Sequence, residues 1–325
     1  MPAPVKPPAL RPGDAIRLLS LASPVEESRV EAGCKELVRL GYMPKVDRAQ
    51  VFAREGFFAG AVAGRVAALK QAFAESGTQA IFCTRGGYGT NYLLDALATA
   101  AAPRTKILLG YSDITSLQIF LWQKFGYVSF YGPMLAHGFG AGAGTANGYD
   151  SDSFLRAVSE TYAGWSLDLR GEAISTGSAE GTVLGGCLTL IETSIGTPWE
   201  LDTRDSILLL EDCDMKPYQI DRALMHLKQA GKFDGVRGII LGDFPRCDAA
   251  QGSETAADVM RRILAPLGIP IVSGAAVGHT DRPMLTIPLG VRGRLRASPP
   301  SGGTSSTSLE ILEPAVVKRH FSWRK

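Results

Sequence analysis

The chain has 325 residues, 45% of them hydrophobic and 20% charged, with a formal net charge of +2. At about 150 residues per domain this length suggests two domains, and the composition is that of a folded globular protein rather than a disordered one. Lys and Arg are interspersed with Asp and Glu, so no basic stripe is available to neutralise a phosphate backbone, and nucleic acid is not an expected partner.

The opening Met-Pro-Ala-Pro-Val-Lys-Pro-Pro-Ala-Leu lacks the roughly 7–15 residue apolar core of a secretion signal, and no later apolar run approaches about 20 residues. Export and membrane insertion are therefore not expected. An apolar run at 14–20 reads as a buried strand, ending at Ser23-Pro24-Val25-Glu26, which has the form of a capping box before a helix to Leu40. A short strand at 45–47, a helix at 61–76 stopped by Gly77 and a strand at 80–84 follow. Two more units add a helix at 91–101, a strand at 106–109, a helix at 113–125 and a strand at 128–130. Strands alternating with helices predict a doubly wound, flavodoxin- or Rossmann-like parallel sheet.

Between His137 and Tyr149 the chain turns rich in Gly, Ala, Thr and Asn, a composition suited to a mobile connection. The expected division is an N-terminal α/β domain over 1–140, a linker and crossover over 141–170, and a mixed α/β domain over 171–325. In that second part strands are expected at 181–184, 206–210, 238–241, 271–272 and 284–289, with helices at 217–230 and 255–267. Residues 298–308, Ser-Pro-Pro-Ser-Gly-Gly-Thr-Ser-Ser-Thr-Ser, read as a flexible surface loop before a last strand at 309–312.

In open parallel sheets reactive groups collect on loops at the carboxyl ends of strands. In Gly110-Tyr111-Ser112-Asp113-Ile114-Thr115 a strand turns into a helix at Ser112, where the helix N-terminus favours developing negative charge and the Asp113 N–H can hold an oxyanion. The competing reading is that Ser112 simply caps its helix. Ile114 stands where an α/β-hydrolase elbow has its second glycine, so that fold is not supported. The loop Arg85-Gly86-Gly87-Tyr88-Gly89 lets backbone approach a ligand closely, or is a tight turn needing positive φ. It fits neither a dinucleotide fingerprint nor a Walker loop.

A nucleophilic serine needs a base. Of the four histidines, His279 lies in the polar turn Gly278-His279-Thr280-Asp281-Arg282-Pro283, and His137 is a reserve candidate. His226 sits mid-helix and His320 in a basic tail. The strand 206–210 delivers Glu211 and Asp212, whose side chains alternate to opposite faces, so one acid can orient His279. Glu211 is chosen here. The five cysteines, Cys34, Cys83, Cys187, Cys213 and Cys247, are widely spaced with no Cys-x-x-Cys pair, which fits reduced thiols in a cytoplasmic protein. Cysteine chemistry at Cys83, Cys187 or Cys213 is disfavoured because each adjoins an apolar run that looks like core.

At Arg11-Pro12-Gly13-Asp14, the two loops above, Gly185-Gly186-Cys187-Leu188, Leu210-Glu211-Asp212 and Gly278-His279, the chain resembles the serine LD-carboxypeptidase family, which includes muramoyltetrapeptide carboxypeptidases and microcin C immunity proteins. The resemblance spans roughly residues 11–295. It implies a Ser112, Glu211, His279 triad completed across the interface of two domains, and an oxyanion hole of Gly87 and Asp113 N–H groups. It further implies a homodimer with no metal and no cofactor. Its substrate would be a murein tetrapeptide, cleaved at the L,D-bond before terminal D-alanine during peptidoglycan recycling. Cys187 departs from the family, where asparagine is usual. Arg85, with Gly86, and Arg282 are candidates for binding the substrate and its free carboxylate. The alternatives are an immunity hydrolase acting on peptidyl or aminoacyl nucleotides, and a noncatalytic two-domain protein closing on a small ligand.

Overall fold

The computed structural model describes residues 2–249, 253–301 and 304–319. The first half alternates strand and helix: β1 (Ala15–Leu19), α1 (Glu27–Arg39), β2 (Met43–Lys45), α2 (Arg48–Val51), α3 (Val62–Ala74), β3 (Ala80–Cys83), α4 (Asn91–Ala98), β4 (Ile107–Gly110), α5 (Thr115–Phe125) and β5 (Ser129–Tyr131). Every residue of β3 and β4 is buried, as expected of parallel strands covered on both faces. The strands pair in parallel in the order β2-β1-β3-β4-β5. The order reverses beside β1, and the loops at the carboxyl ends of β3, β4 and β5 line a common cavity.

The second half contributes α6 (Ser151–Ser159), β6 (Trp165–Asp168), β7 (Glu172–Ser175), β8 (Gly177–Cys187), α7 (Leu188–Glu192), β9 (Ser206–Glu211), α8 (Pro217–Gln229), β10 (Gly238–Leu241), α9 (Ala256–Leu264), β11 (Ile271–Ser273), β12 (Ile287–Leu289), β13 (Arg292–Ser301) and β14 (Thr304–Ile311). Its sheet runs β6-β14-β13-β8-β9-β10-β11-β7, with a parallel centre, β8 to β11, between antiparallel flanks. The α/β class and the mixed second sheet are as the sequence predicts.

Four local expectations need correction. Ser23 does not cap α1: the N-cap is Glu26, and the Ser23 hydroxyl instead accepts the Tyr88 N–H at 3.1 Å. The strand expected at 284–289 shortens to β12 and joins the first sheet, antiparallel to β5, with Ile287 opposite Tyr131. The Gly-rich stretch 137–149 is tied down rather than free, because Asn147 N–H donates to Asp281 O and Met284 N–H to Gly148 O, and Tyr149 is buried. Finally, the low-complexity segment belongs to the β13–β14 hairpin, where Arg296 faces Ser308 and Ala297 faces Thr307. Threonine is a good strand former, and the buried Thr307 hydroxyl donates to Gly171 O at 3.0 Å. Residues 302–303 and His320 lie outside the described residues.

The loops at the carboxyl ends of β1 and β3 are held by a buried cation. Arg65 on α3 is 1% exposed and donates to Gly60 O, Leu21 O and Gly89 O at 3.2, 2.7 and 2.8 Å, so one guanidinium ties the β1 and β3 loops together. Arg65→Met removes these bonds and leaves carbonyls unpaired. The expected cost is about 3 kcal/mol, a Tm fall of roughly 4–5 °C by calorimetry; an unchanged Tm would show that the loops hold without it.

Candidate active site

Ser112 opens a single 3-10 turn (Ser112–Ile114) between β4 and α5, with φ at 61°. A non-glycine residue in the left-handed region costs of order 1–3 kcal/mol and persists only where its surroundings enforce it. The N-cap residues of the turn and of α5 are Tyr111 and Ile114, so Ser112 is not a helix cap and its side chain lines a cavity instead. The Arg85–Gly89 loop packs directly on it. A Cβ placed on Gly86 would lie 3.0 Å from Ser112 Oγ and 3.5 Å from Asp113 N, and one on Gly87, at φ 110°, would strike Ser23 Oγ at 2.3 Å. Both glycines are therefore required: Gly86 lies against the Ser112 turn and the Asp113 amide, and Gly87 against Ser23. The Asp113 side chain turns inward, where its Oδ2 accepts from Thr90 N–H and Oγ1, each at 2.8 Å. Burial pushes its carboxyl above the ordinary value against those bonds.

From the second sheet, β9 ends in Glu211, which is fully buried. Its Oε2 accepts from both the backbone N–H and Nδ1 of His279, at 2.7 and 2.8 Å, and its Oε1 accepts from the Tyr131 hydroxyl at 2.5 Å. The double bond to one residue fixes His279 with Nδ1 toward the acid and leaves Nε2 for other work. Burial opposes protonation of the ring, but the Glu211 carboxylate and the Cys213 sulfur outweigh it and raise the His279 pKa above its ordinary value. Asp212, on the other face as alternation requires, accepts from Thr189 N–H and Oγ1 at 2.9 and 2.7 Å. Cys187 Sγ donates to the same carboxylate at 3.4 Å. The Cys187 thiol is pushed well above its ordinary pKa by burial, so this residue sits behind the site rather than in it.

Ser112 and His279 line one cavity of about 510 Å³ at the facing carboxyl ends of the two sheets, a size suited to a small ligand. Cavities of about 740 and 290 Å³ elsewhere hold neither residue. Arg85, Gly86 and Gly87 share the wall with His137, whose pKa is lowered by burial and by Arg29 and Arg85. Arg85 donates once, to Pro24 O at 3.1 Å, and its buried Nε has no partner among the described residues, so it retains hydrogen bonds to give. Arg282 does not line the cavity. It is spent on Asp243, Oδ1 at 2.5 Å and Oδ2 at 3.1 Å, and on Arg170 O at 2.9 Å, because the turn that carries His279 aims the next cation back into the second sheet.

The structure adds residues that the sequence did not single out. Tyr131 and Tyr111 flank the serine, and Asn147, Asp214 and Arg246 complete the cavity rim, with Arg246 holding the Asp214 carboxyl down at about 2. Cys213, expected in the core, is half-buried on the cavity wall. Tyr131 carries a readable signal, since it ends a parallel strand; the rim residues meet only through tertiary structure. His226 is a surface residue, its Nδ1 3.2 Å from Glu192. Among the described residues no helix is long and apolar enough to cross a membrane.

A buried acid orienting a histidine on the same cavity as a strained serine is the constellation used for nucleophilic acyl transfer. Comparison with known proteins agrees. Residues 16–132 match the LD-carboxypeptidase N-terminal domain and residues 180–295 the C-terminal domain of the same family. The chain is 31% identical over 297 residues to a protein of Bacillus subtilis (strain 168) described as a probable murein peptide carboxypeptidase, covering 90% of this chain and 92% of that one. It is 28% identical to the microcin C7 self-immunity protein MccF of Escherichia coli, over 86% of this chain and 90% of the relative. The solved structure of an MccF-like protein from Bacillus anthracis str. Ames superposes with a TM-score of 0.80 at 27% identity, covering 94% and 99% of the two chains. The chain therefore belongs to the LD-carboxypeptidase family and is a serine-type LD-carboxypeptidase.

Proposed function

We propose that Ser112, His279 and Glu211 form a catalytic triad that hydrolyses the L,D-peptide bond before the terminal D-alanine of a murein tetrapeptide. The observation that carries this reading is the Glu211–His279 pair, fixed through three hydrogen bonds and opening on the same cavity as Ser112. His279 Nε2 takes the Ser112 proton as Oγ attacks the carbonyl, and the Gly87 and Asp113 N–H groups receive the oxyanion. His279 then protonates the leaving amine of D-alanine, and water resolves the acyl enzyme. Arg85, with bonds to spare, receives the substrate's terminal carboxylate. The physiological setting proposed is peptidoglycan recycling by a cytoplasmic homodimer.

Release of D-alanine from a murein tetrapeptide tests the reading. Wild type should release it, and Ser112→Ala should lose about 10⁴-fold or more in kcat. If folded wild type releases no D-alanine but cleaves an aminoacyl nucleotide analogue, the second reading, that of the self-immunity relative, replaces this one.

The pH profile has a defined sign. His279 accepts a proton only when neutral, so kcat/KM rises as pH climbs through its pKa, which Glu211 raises. Glu211→Gln should cut kcat by roughly 10³–10⁴-fold and move the acid limb to lower pH. An acid limb that stays in place would remove Glu211 from the triad.

Arg85→Ala should raise KM about 10- to 100-fold with a smaller change in kcat. A tetrapeptide amidated at its C-terminus should not feel the substitution. Equal sensitivity of both peptides would place the carboxylate elsewhere.

A further inference from the structure

Tyr131 ends β5 on the first sheet, is fully buried, and has one hydroxyl between two groups on which the chemistry depends. It accepts the Ser112 backbone N–H at 3.2 Å and donates to Glu211 Oε1 at 2.5 Å. Its ring has little freedom. Tyr111 meets it edge-on with centroids 6.2 Å apart, and Gly186, at φ 143°, leaves room where a Cβ would fall 2.9 Å from Tyr131 Cε2. Ile287 of β12 pairs with it across the sheet edge.

We propose that Tyr131 is a positioning residue: its hydroxyl holds the strained Ser112 backbone and the Glu211 carboxylate in one fixed relation across the two sheets. This rests on the triad reading given above. The Ser112 N–H is consumed by the phenol, so the oxyanion falls to the Gly87 and Asp113 amides, and the peptide preceding Ser112 is locked in the orientation that its positive φ demands. On the acid side the phenol saturates the one carboxylate oxygen that His279 does not use. Burial, with Glu211 adding to it, raises the Tyr131 pKa well above its ordinary value, so the hydroxyl stays a donor at any working pH.

The test reads Ser112 directly, through the second-order rate of labelling by a fluorophosphonate as a function of pH, and needs no knowledge of the substrate. Tyr131→Phe keeps the ring and removes only the hydroxyl. Labelling should slow about 10- to 100-fold, the value of one or two bonds to charged or strained groups. On D-alanine release the loss should fall in kcat rather than KM. Without the phenol, Glu211 bears more fully on His279 and holds its proton more tightly, so the acid limb should move to higher pH. The groups facing His279 are otherwise unchanged: Tyr111 on the β4 side, Cys213 and Asp214 after β9, His137 after β5, with Arg85, Arg246 and Asp281 on the cavity wall.

In a Glu211→Gln background the same substitution should cost clearly less than in wild type, because only the bond to the Ser112 amide keeps its full value once the acid has lost its charge. Difluorotyrosine at position 131 keeps volume and hydroxyl but donates more strongly, and should move the acid limb the other way, to lower pH, whether or not the Phe variant folds. Labelling of Tyr131→Phe within about twofold of wild type, with the acid limb unmoved, would overturn the inference and leave the triad standing. So would losses that multiply in the double variant, or an acid limb indifferent to fluorination. Absence of Ser112 labelling in wild type would overturn the triad reading and this inference with it.

Discussion

A carboxylate with no exposure to water sits where two sheets meet, and much of the molecule is arranged to make that tolerable. An unpaired buried charge costs several kcal/mol, so Glu211 is stable there only with its lone pairs filled. Two bonds come from the single residue His279 and one from Tyr131, which belongs to the other sheet. The approach is close enough that side chains must be absent around it. A Cβ on Gly278, at φ 70°, would lie 2.2 Å from the Glu211 carboxyl carbon, and one on Gly242 2.6 Å from its Cβ. The glycine before His279 is thus demanded twice, by backbone conformation and by room for the acid.

This constraint couples the two sheets chemically, and the chain couples them mechanically as well. After His279 the backbone crosses to pair β12 with β5, so the strand that carries Tyr131 is held at its edge by the segment that follows the histidine. The Gly-rich stretch is stitched to the same region by Asn147 and Met284. A tether composed to be mobile becomes ordered because its Asn147 amide and its Gly148 carbonyl find partners in the His279 turn and the residue just after it. The Ser112 turn, the Glu211 strand end and the His279 loop are therefore parts of one bonded unit, not three loops that happen to face a cleft.

That difference explains what the sequence shows and what it hides. The parallel core was legible because β1, β3, β4, β9 and β10 are short apolar runs punctuated by helix signals, and the proposed triad lies at or beyond the carboxyl ends of β4, β9 and β11. Ser112, Glu211 and His279 could be nominated from local context, since Glu211 ends a strand and the other two lie in turns that follow one. The fate of the capping pattern at Ser23 was not legible, because Ser-Pro-x-Glu competes with a partner, the Tyr88 amide, that only the folded chain supplies. The two arginines show the same limit. Arg85 and Arg282 looked equivalent as cations beside glycine-containing turns, yet Arg282 meets Asp243 from another loop and Arg85, among the described residues, meets a carbonyl, that of Pro24.

The hairpin of β13 and β14 makes the point from the opposite direction. Low complexity in Ser, Thr and Gly withholds the apolar periodicity by which strands are recognised, but it does not withhold the capacity to pair. β8 pairs with residues 292–297 and β6 with residues 308–311, so the base of the hairpin is anchored on both sides, and the low-complexity residues extend that ladder by pairing Ser298 with Ser306 and Ala297 with Thr307. Sequence reading weights side chains, so it is strongest where burial selects them, as in β4 or β9, and weakest where main-chain hydrogen bonding does. The Tyr131 hydroxyl lies between these cases: its ring is selected by packing against Tyr111 and Gly186, while its two bonds, to a backbone amide and to an acid 80 residues away, exist only after both sheets have formed.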